Sequence, residues 1–397
     1  MSEVSTVNVT KTELTPIESR ILELPDGRRP DKYHLAVHDT PGDEPLNLNL
    51  FRFKGEGPPV MLMHGASAWS GSFVVPRGRS MVERLGAHPS KPDVWLLDWR
   101  GGRNVVANYY DPKWLDRFTW DAVAQTDVPA GLRAIQSLRG DSRKIAVLGH
   151  CVGGGTLAMA VSAMQATDLD RLDRIVLSTL GLFHVQPWDG LLRASDFVLE
   201  RLRAQAPGTT FVHPDQFEHP WQGPLEEAFD MWPKALLPPV GVTGDMFQRL
   251  AFMFGRICIW DRLDRSLQTN KAMQDQFGAM HLTAFIQAGQ FVRRGFAAPY
   301  DSPERFARGQ NAPLDERYLR PEPWTNLAGI TLVTGQENDL WHRDAIDRMG
   351  EWLAQVRGPA GFTKHALQSW GHQDLLWGRP RAGDVDPIDL YLTGLLG

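Results

Sequence analysis

Short apolar runs that alternate with helix-like stretches constrain the fold of this chain more than any other feature. The runs at residues 60–63, 94–97 and 145–148 read VMLM, VWLL and IAVL, and those at 175–177 and 330–333 are similar. Runs that are apolar on both faces are typical of central parallel strands, which helices cover on both sides. The alternation therefore predicts an α/β fold with a mostly parallel central sheet.

Two further segments fit the same plan. Residues 46–53 (LNLNLFRF) alternate apolar and polar side chains, which predicts a half-buried strand near an edge of the sheet. Residues 120–138 place Ala, Leu and Ile at helical spacing, which predicts a helix between two of the apolar strands.

Composition narrows the class of protein. Apolar residues make up 42% of the chain and charged residues 22%, which indicates a globular protein with a substantial core. Only two cysteines, Cys151 and Cys258, are present, which excludes a disulfide framework. With 42 basic and 47 acidic residues, the net charge of −5 gives no electrostatic signature for binding nucleic acid or an anionic membrane.

The sequence also bears on location. No apolar run approaches the roughly 18 residues needed to span a bilayer, so we expect no integral membrane segment. The first twenty residues have no apolar core of the kind that a secretory signal requires. These two features favour a cytoplasmic location.

One long interval interrupts the alternation of strands and helices. From Ser178 to Gly329 the chain is far longer than the dozen or so residues that a crossover needs, and its helix-like segments are rich in Met and Phe. We predict a loose tail at 1–18, an α/β core at 19–187 and 324–397, and an inserted helical cap, or lid, at 188–323. The alternative to such a cap is an unrelated binding domain inserted at the same place.

The loop after the run at 145–148 has the pattern of a nucleophile elbow. It reads GHCVGG and leads into a helix of small residues, with Cys151 where serine is commoner. The glycines allow a strained turn and close packing of strand and helix. The helix N-terminus is expected to lower the pKa of the thiol. The alternative is a glycine-rich turn around a buried, inert cysteine.

Two other loops provide residues that acyl transfer needs. The sequence His64-Gly65-Ala66 follows the run at 60–63, and the N–H groups of Ala66 and Val152 would form an oxyanion hole. An ordinary βα turn is the alternative for this loop. His372 follows the predicted last strand at 363–367 and is placed to act as a general base.

A carboxylate that orients the base is expected in the loop after the run at 330–333, which reads GQENDLW. Asp339 is the first choice, and Glu337 and Asp344 are the alternatives. Cysteine, acid and histidine then follow one another in the chain order expected for this type of site. We interpret a further loop, DWRGG at 98–102, as a structural turn whose Asp and Arg form hydrogen bonds.

Aromatic and apolar side chains near these loops suggest the kind of ligand. Trp69, Trp341 and Trp370 lie beside the loops and are predicted to line a substrate pocket, with a role in core packing as an equal alternative. The Met and Phe residues of the inserted segment point to an apolar acyl or lipid-like substrate, or else pack that segment onto the core. No Cys pair or close His pair has metal-ligand spacing, so we expect neither a metal nor a cofactor.

From about residue 46 to residue 396, the chain resembles the α/β-hydrolase superfamily. Its elbow GHCVGGG is similar to that of polyhydroxyalkanoate synthases, which also place a cysteine there. A closer resemblance is to the α/β-hydrolase-like domain fused to cholesterol-oxidase-type flavoprotein oxidoreductases. This likeness lies in GHCVGG, STLGLFHVQPW (178–188), FGAMHLTAF (277–285), FVRRG (291–295) and WGHQD (370–374).

The resemblance implies an α/β-hydrolase fold with Cys151 as nucleophile, Asp339 as acid and His372 as base, under a helical cap. No early G-x-G-x-x-G follows a strand, so the flavin-binding half is absent from this sequence. The extra N-terminal region of the polyester synthases is also missing, which favours hydrolysis or simple acyl transfer over polymerisation.

The sequence therefore predicts a Cys-His-Asp enzyme that hydrolyses an ester or thioester of a small apolar acyl or lipid-like molecule through an acyl-enzyme. An acyltransferase or polyester-synthase-like enzyme with the same triad is one alternative. A non-catalytic binding protein on a hydrolase fold is another, because a fold does not determine a function. The natural substrate is open, as is whether the chain forms a homo-oligomer.

Overall fold

The computed structural model describes residues 7–187, 190–191, 194, 200, 211–215, 224–231, 240–301 and 315–397. Its strands are β1 (Asn8–Thr12), β2 (Asp31–Val37), β3 (Leu46–Phe53), β4 (Pro59–Met63), β5 (Asp93–Asp98), β6 (Ile145–His150), β7 (Leu172–Ser178), β8 (Phe211–Val212), β9 (Met280–His281), β10 (Gly329–Gly335) and β11 (Thr363–Leu367).

The helices in the core that precede the long interval are α1 (Pro16–Leu22), α2 (Met81–Ala87), α3 (Arg103–Val106), α4 (Trp120–Ala122), α5 (Val128–Arg139), α6 (Val152–Ala163) and α7 (Ala166–Leu169). A π-helical turn, Val123–Asp127, joins α4 to α5. The later helices are α8 (Pro224–Met231), α9 (Val240–Phe254), α10 (Asn270–Gln276), α11 (Leu282–Arg294), α12 (Asp344–Arg357), α13 (Asp374–Trp377) and α14 (Pro387–Leu396). Among the helices described, none is both long enough and apolar enough to cross a bilayer.

Nine strands form one sheet in the order β1-β2-β3-β5-β4-β6-β7-β10-β11. The pairs from β1 to β5 along this order are antiparallel, and the pairs from β5 to β11 are parallel. The predicted α/β fold with a mostly parallel sheet is therefore confirmed. Every residue of β4, β5 and β6 is buried, as expected for apolar strands that helices cover on both faces.

The N-terminal edge of the sheet differs from the expectation. Residues 1–18 were predicted to form a loose tail, yet β1 pairs with β2 from Asn8 opposite Ala36. Helix α1 follows, with a capping box between Thr15 and Glu18 at its start. The sequence of β1, NVTKT, has one apolar residue, so hydrophobic patterning gave no sign of a strand. Because β1 and β2 lie outside it, the strand predicted near an edge, β3, is the third strand from this edge.

Strands β7 and β10 are neighbours in the sheet although the whole long interval separates them in the chain. Helices α8 to α11 belong to that interval. Helices α8, α9 and α11, together with strand β8, form a second, smaller apolar cluster that consists of Val212, Phe229, Met253, Leu282 and Ile286. The bounds 188–323 proposed for a cap stay a prediction, since parts of that range lie outside the described residues.

Specific hydrogen bonds join the described part of this interval to the core. The indole N–H of Trp69 donates to the carbonyl of Asp275 at 2.8 Å. The indole N–H of Trp120 donates to the carbonyl of Ala284, and the Trp120 backbone N–H donates to the side chain of Gln287. Helix α10 is therefore fixed against the loop that follows β4, and helix α11 against the first residue of α4.

The loop after β5 is structural, as the sequence predicts. Arg100 is fully buried, and its guanidinium bonds to the carboxylates of Asp127 and Asp39. The backbone N–H of Arg100 also donates to Asp127 at 2.9 Å. Asp98, at the end of β5, accepts a hydrogen bond from the backbone N–H of Ser70 at 2.7 Å. The Arg100 contacts fix the loop after β5, and the bond from Ser70 ties the loop after β4 to the end of β5.

Candidate active site

Cys151 stands in a strained turn between β6 and α6, with φ of 58° and ψ of −129°. A Cβ on Gly149 would lie 2.4 Å from the carbonyl oxygen of Gly153, and a Cβ on Gly153 would lie 2.5 Å from that of His64. Only glycine fits at such distances. The strained turn and the close packing predicted from GHCVGG are therefore present.

The surroundings of the Cys151 thiol are mostly hydrogen-bond donors. The backbone N–H groups of Val152 and Ala66 and the indole N–H of Trp341 all lie at the sulfur and act to lower the pKa of the thiol. The indole N–H has no hydrogen bond of normal geometry among the described residues, so its contact with the sulfur is loose. The two donors predicted for an oxyanion hole therefore face the same atom.

The thiol is nevertheless less acidic than the sequence predicts. Cys151 is 7% exposed, and burial, the largest effect, raises its pKa to about 11. The N–H of Val152, at the N-terminus of α6, does act to lower this pKa, but the cost of burying a thiolate outweighs it, so the net lowering that the sequence predicts is wrong in direction. At neutral pH, Cys151 is therefore a thiol, and a base must remove its proton before or during reaction.

His372 is buried and contacts Asn338. Its Nδ1 lies 3.1 Å from Oδ1 of Asn338. The same oxygen accepts hydrogen bonds from the backbone N–H groups of Leu340 and Trp341, at 3.0 and 3.1 Å. Among the described residues, Nε2 of His372 is buried without a hydrogen-bond partner.

His150 links the turn that carries Cys151 to the loop that carries His372. The ring centroids of His150 and His372 are 5.0 Å apart, and Nε2 of His150 lies 3.3 Å from the side-chain oxygen of Gln373. On its other side, Nδ1 of His150 contacts the hydroxyl of Ser178 at 2.8 Å. Burial holds the pKa of His372 well below its usual value, and His150 adds to this effect. The imidazole of His372 is therefore neutral at pH 7.

The three carboxylates considered for the acid have other surroundings. The Asp339 side chain is 46% exposed, and its carboxylate lies 2.5 Å from the guanidinium of Arg256. Asp344 lies 3.1 Å from the ring of His342. Glu337 is exposed, and its backbone N–H donates to the carbonyl of Trp370. The side chain that contacts Nδ1 of His372 is thus the amide of Asn338.

Sequence reasoning missed Asn338 because it sought a negative charge beside the base. A signal was available in the sequence. An asparagine in a turn commonly uses its side-chain oxygen to accept backbone N–H groups a few residues ahead of it. Such an oxygen can accept one more hydrogen bond, here from an imidazole.

The predicted pocket tryptophans separate into two groups. Trp341 adjoins the thiol, whereas Trp69 donates to Asp275 and packs edge-on against Phe51. Trp370 lies under the guanidinium of Arg262, 4.3 Å from the carbon of that group. The contacts of Trp69 and Trp370 favour the core-packing alternative, and a role in substrate binding stays a prediction for all three residues.

His64 supports the loop that carries Ala66. Its ring stacks on Trp99 with centroids 5.2 Å apart, and Nδ1 lies 2.7 Å from the carbonyl oxygen of Gly65. Nε2 lies 3.6 Å from the carboxylate of Asp98. Burial lowers the pKa of His64 to about 4 and raises that of Asp98 to about 7. The contacts of His64 with Trp99 and Gly65 help to fix the loop that carries the Ala66 N–H.

His184 lies behind Trp341, on the side that faces α11. Its ring centroid is 5.1 Å from that of Trp341, 4.8 Å from Phe291 and 5.6 Å from Trp120. Burial among these rings lowers its pKa to about 3. An aromatic wall that includes a residue of α11 therefore backs the thiol.

Comparisons with known proteins bear on the fold. No protein-family model and no curated protein matches the chain. A carboxyl esterase from Bacillus coagulans, solved with glycerol, is 12% identical with a TM-score of 0.51, over 86% of this chain and 91% of that one. A lipase in its open form is 15% identical with a TM-score of 0.50, over 88% of this chain and 94% of that one.

An α/β hydrolase from Novosphingobium aromaticivorans is 15% identical, with a TM-score of 0.44, over 92% of this chain and 98% of that one. Matches at such low sequence identity support a shared fold and carry no conclusion about a shared activity. The esterase and the lipase share with this chain a large, mostly parallel central sheet flanked by helices. The chain has the α/β-hydrolase fold.

Proposed function

We propose that the protein hydrolyses an ester or thioester of a small apolar acyl or lipid-like molecule, with Cys151 as nucleophile and His372 as base. One observation carries the proposal. The N–H groups of Ala66 and Val152 both face the sulfur of Cys151, and the buried Nε2 of His372 nearby accepts no hydrogen bond from any residue that the structure describes. A nucleophile, a base and two convergent donors are the parts that acyl transfer requires.

The first step forms the bond between sulfur and the acyl carbon. Nε2 of His372 takes the proton of Cys151 as the sulfur attacks the carbonyl carbon, and the π electrons move onto the carbonyl oxygen. The N–H groups of Ala66 and Val152 then stabilise this oxyanion. Because both reacting groups are neutral at rest, His372 must take the thiol proton before or during the attack.

The second step expels the leaving group. The electron pair of the oxyanion re-forms the carbonyl, the bond to the alcohol or thiol breaks, and the leaving group takes the proton from His372. A thioester on Cys151 remains. In the third step His372 removes a proton from water as the water attacks this thioester. The bond between the acyl carbon and Sγ then breaks, Sγ takes the proton from His372, and the free acid leaves while the Cys151 thiol is regenerated.

A third residue, from the loop after β10, orients His372. Asp339, chosen from the sequence, fills this role only if its carboxylate leaves Arg256 and the loop rearranges. The contact present at Nδ1 of His372 belongs to Asn338.

The aromatic surroundings support an apolar substrate. The thiol adjoins Trp341, and His184 and Phe291 lie behind that ring. Phe291 belongs to α11, so the inserted segment contributes to the wall of the site, as a cap would. Large apolar surfaces around a few polar groups are typical of sites for small apolar ligands.

The test compares Cys151→Ala with Cys258→Ala, its matched control. The substrates are p-nitrophenyl esters and acyl thioesters of increasing chain length. We expect Cys151→Ala to abolish turnover and Cys258→Ala to retain it, with a preference for longer acyl chains in the wild type. Undiminished turnover by Cys151→Ala would exclude the assignment of the nucleophile.

Acyl transfer is the second candidate. It is favoured by the cysteine in place of serine and by the burial of that cysteine, since a sheltered thioester survives until an acceptor other than water arrives. Adding an alcohol, amine or thiol acceptor to the ester assay separates the two activities. An acylated acceptor in excess over free acid would show transfer, and free acid alone would show hydrolysis.

A further inference from the structure

We infer that Asn338 is the residue that positions His372 for its role as base, and that its neighbour Asp339 is not. This inference rests on the function proposed for Cys151 and His372. A neutral amide holds an imidazole by a hydrogen bond without placing a negative charge beside it. Cys-His-Asn sites of this kind occur among papain-like proteases, on an unrelated fold.

The contact is well defined by its surroundings. Asn338 is 4% exposed and His372 is 2% exposed, so neither side chain turns towards solvent. Oδ1 of Asn338 accepts from Leu340 and Trp341 as well as facing Nδ1 of His372 at 3.1 Å. Two backbone donors therefore decide which end of the amide is the oxygen.

That orientation fixes the tautomer of His372. Backbone N–H groups only donate, so the atom that receives them is the amide oxygen. An amide oxygen accepts, so Nδ1 of His372 must carry the proton. In a neutral ring, Nε2 then holds a lone pair and is the atom able to take the proton of Cys151. The tautomer needed for catalysis is thus set by Asn338 through the backbone of residues 340 and 341.

Asp339 is engaged on the other side of the loop. Its side chain is 46% exposed, and its carboxylate pairs with the 43%-exposed guanidinium of Arg256. Bringing this carboxylate to Nδ1 would displace Asn338 and remove the acceptor of two backbone N–H groups. Leaving buried N–H groups without acceptors is costly, which opposes such an exchange.

The chemical consequence is a base that does not retain its proton. An amide at Nδ1 adds no negative charge to stabilise the imidazolium that forms when Sγ gives its proton to Nε2. The same proton then passes from Nε2 to the leaving group as that bond breaks. The resting site is therefore a neutral thiol and a neutral imidazole, and not an ion pair.

Other titratable groups face this cluster and must be held constant. His150 approaches from β6, with its ring 5.0 Å from that of His372. Asp374, from α13, accepts the backbone N–H groups of Gly371 and Ile259, and burial raises its pKa to about 6. His150 and Asp374 are unchanged in every variant of the test, so a difference in reactivity between variants is due to the substituted residue in the loop after β10.

The experiment uses the full chain with Cys258→Ala, so that Cys151 is the one remaining thiol. In this background, Asn338→Asp, Asn338→Ala and Asp339→Asn are compared, with Glu337→Gln as a control on the same loop. Two measurements are made. One is the rate of alkylation of Cys151 by iodoacetamide as a function of pH, which needs no substrate. The other is kcat and KM for a p-nitrophenyl ester.

Asn338→Asp keeps an oxygen at Nδ1 and adds a charge that favours the imidazolium. We expect it to lower the midpoint of Cys151 alkylation by about one pH unit or more. Asn338→Ala is expected to lower kcat by about 100-fold with a small change in KM. Asp339→Asn and Glu337→Gln should leave the alkylation midpoint unchanged and kcat within about twofold of the parent, since neither touches the base.

A lower kcat and a shifted midpoint in Asp339→Asn, with Asn338→Asp unchanged, would overturn the inference. No shift in any variant would overturn it as well. If Asn338→Ala does not fold, Asn338→Asp still tests the inference, because its carboxylate can accept the backbone N–H groups of Leu340 and Trp341 as the amide oxygen does. Suppose that Asn338→Asp shifts the pH midpoint of Cys151 alkylation but the parent protein hydrolyses no ester. Asn338 would then still be the residue that positions His372, and only the proposed function would be wrong.

Discussion

Gly65 approaches Cys151 so closely that a Cβ added to Gly65 would lie 2.9 Å from the Cβ of Cys151 and 3.4 Å from its sulfur. The loop that carries the Ala66 N–H is thus fitted to the nucleophile by the absence of a side chain. Oxyanion stabilisation depends on such placement to a few tenths of an ångström.

Gly65→Ala is therefore expected to lower kcat/KM by about 10- to 100-fold, because the loop or the thiol must move to make room. Gly329→Ala is the control, since its Cβ would meet only Arg174 at an ordinary 3.5 Å. Ester hydrolysis and the thermal midpoint of unfolding are measured for both. A folded Gly65→Ala enzyme with full activity would show that Ala66 does not bind the oxyanion.

The acid limit of activity follows from the buried state of His372. Burial keeps its pKa well below 6.5, so the free base persists as the pH falls and kcat/KM is retained at pH 6. A decline in kcat/KM centred near pH 7 would contradict a lowered pKa for His372. The measurement is kcat/KM for an uncharged ester between about pH 4.5 and 8.

Unfolding must be monitored in that experiment. His64, His150 and His184 are also buried with lowered pKa values, so the unfolded chain binds more protons than the folded chain below about pH 6.5. Stability is therefore lost as the pH falls, in the same range. Circular dichroism at each pH distinguishes loss of activity through protonation of His372 from loss of activity through unfolding.

Trp341→Phe tests the indole beside the thiol. Removing its N–H removes one of the donors that lower the pKa of Cys151, so alkylation by iodoacetamide should require a higher pH. Trp69→Phe is the matched control. It loses a hydrogen bond to Asp275 instead, which should cost about 1 kcal/mol of stability and leave the alkylation profile unchanged. Equal profiles for Trp341→Phe and the wild type would place the indole outside the reactive site.

Arg100→Met tests the buried ion pairs beneath the loop after β5. The guanidinium is fully buried against Asp127 and Asp39, so its loss leaves the buried carboxylate of Asp127 without its charged partner, with only the backbone N–H of residue 100 still donating to it. We expect the free energy of unfolding in urea to fall by about 3–5 kcal/mol. Lys113→Met removes an exposed pair with Glu44 and should have no measurable effect. Equal stability for Arg100→Met and the wild type would contradict the structural role of this loop.

The elements that the sequence predicts are those whose signals are local. Apolar runs identify β4, β5, β6, β7 and β10, because a strand buried on both faces has to be apolar throughout. Glycine spacing identifies the turn at Cys151, because only glycine allows the approach of Gly153 to the carbonyl of His64. The last strand, Thr363–Leu367, has the predicted bounds.

The features that escape prediction depend on tertiary surroundings. The pKa of Cys151 is governed by burial, which no local pattern reveals, so its predicted direction was wrong. Asn338 and Asp339 are adjacent in sequence, and only the path of the loop shows which of them reaches His372. Strand β1 is polar in sequence and is found only through its pairing with β2.

The most direct test of the central claim is mass spectrometry of the protein during turnover of a p-nitrophenyl ester, with acid quenching and peptide mapping. Cys258 provides an internal control, because it is buried and burial raises its pKa well above the usual value. We expect an acyl adduct on the peptide that contains Cys151 and an unmodified Cys258. Turnover with both cysteines unmodified, or an adduct on Cys258 alone, would contradict it.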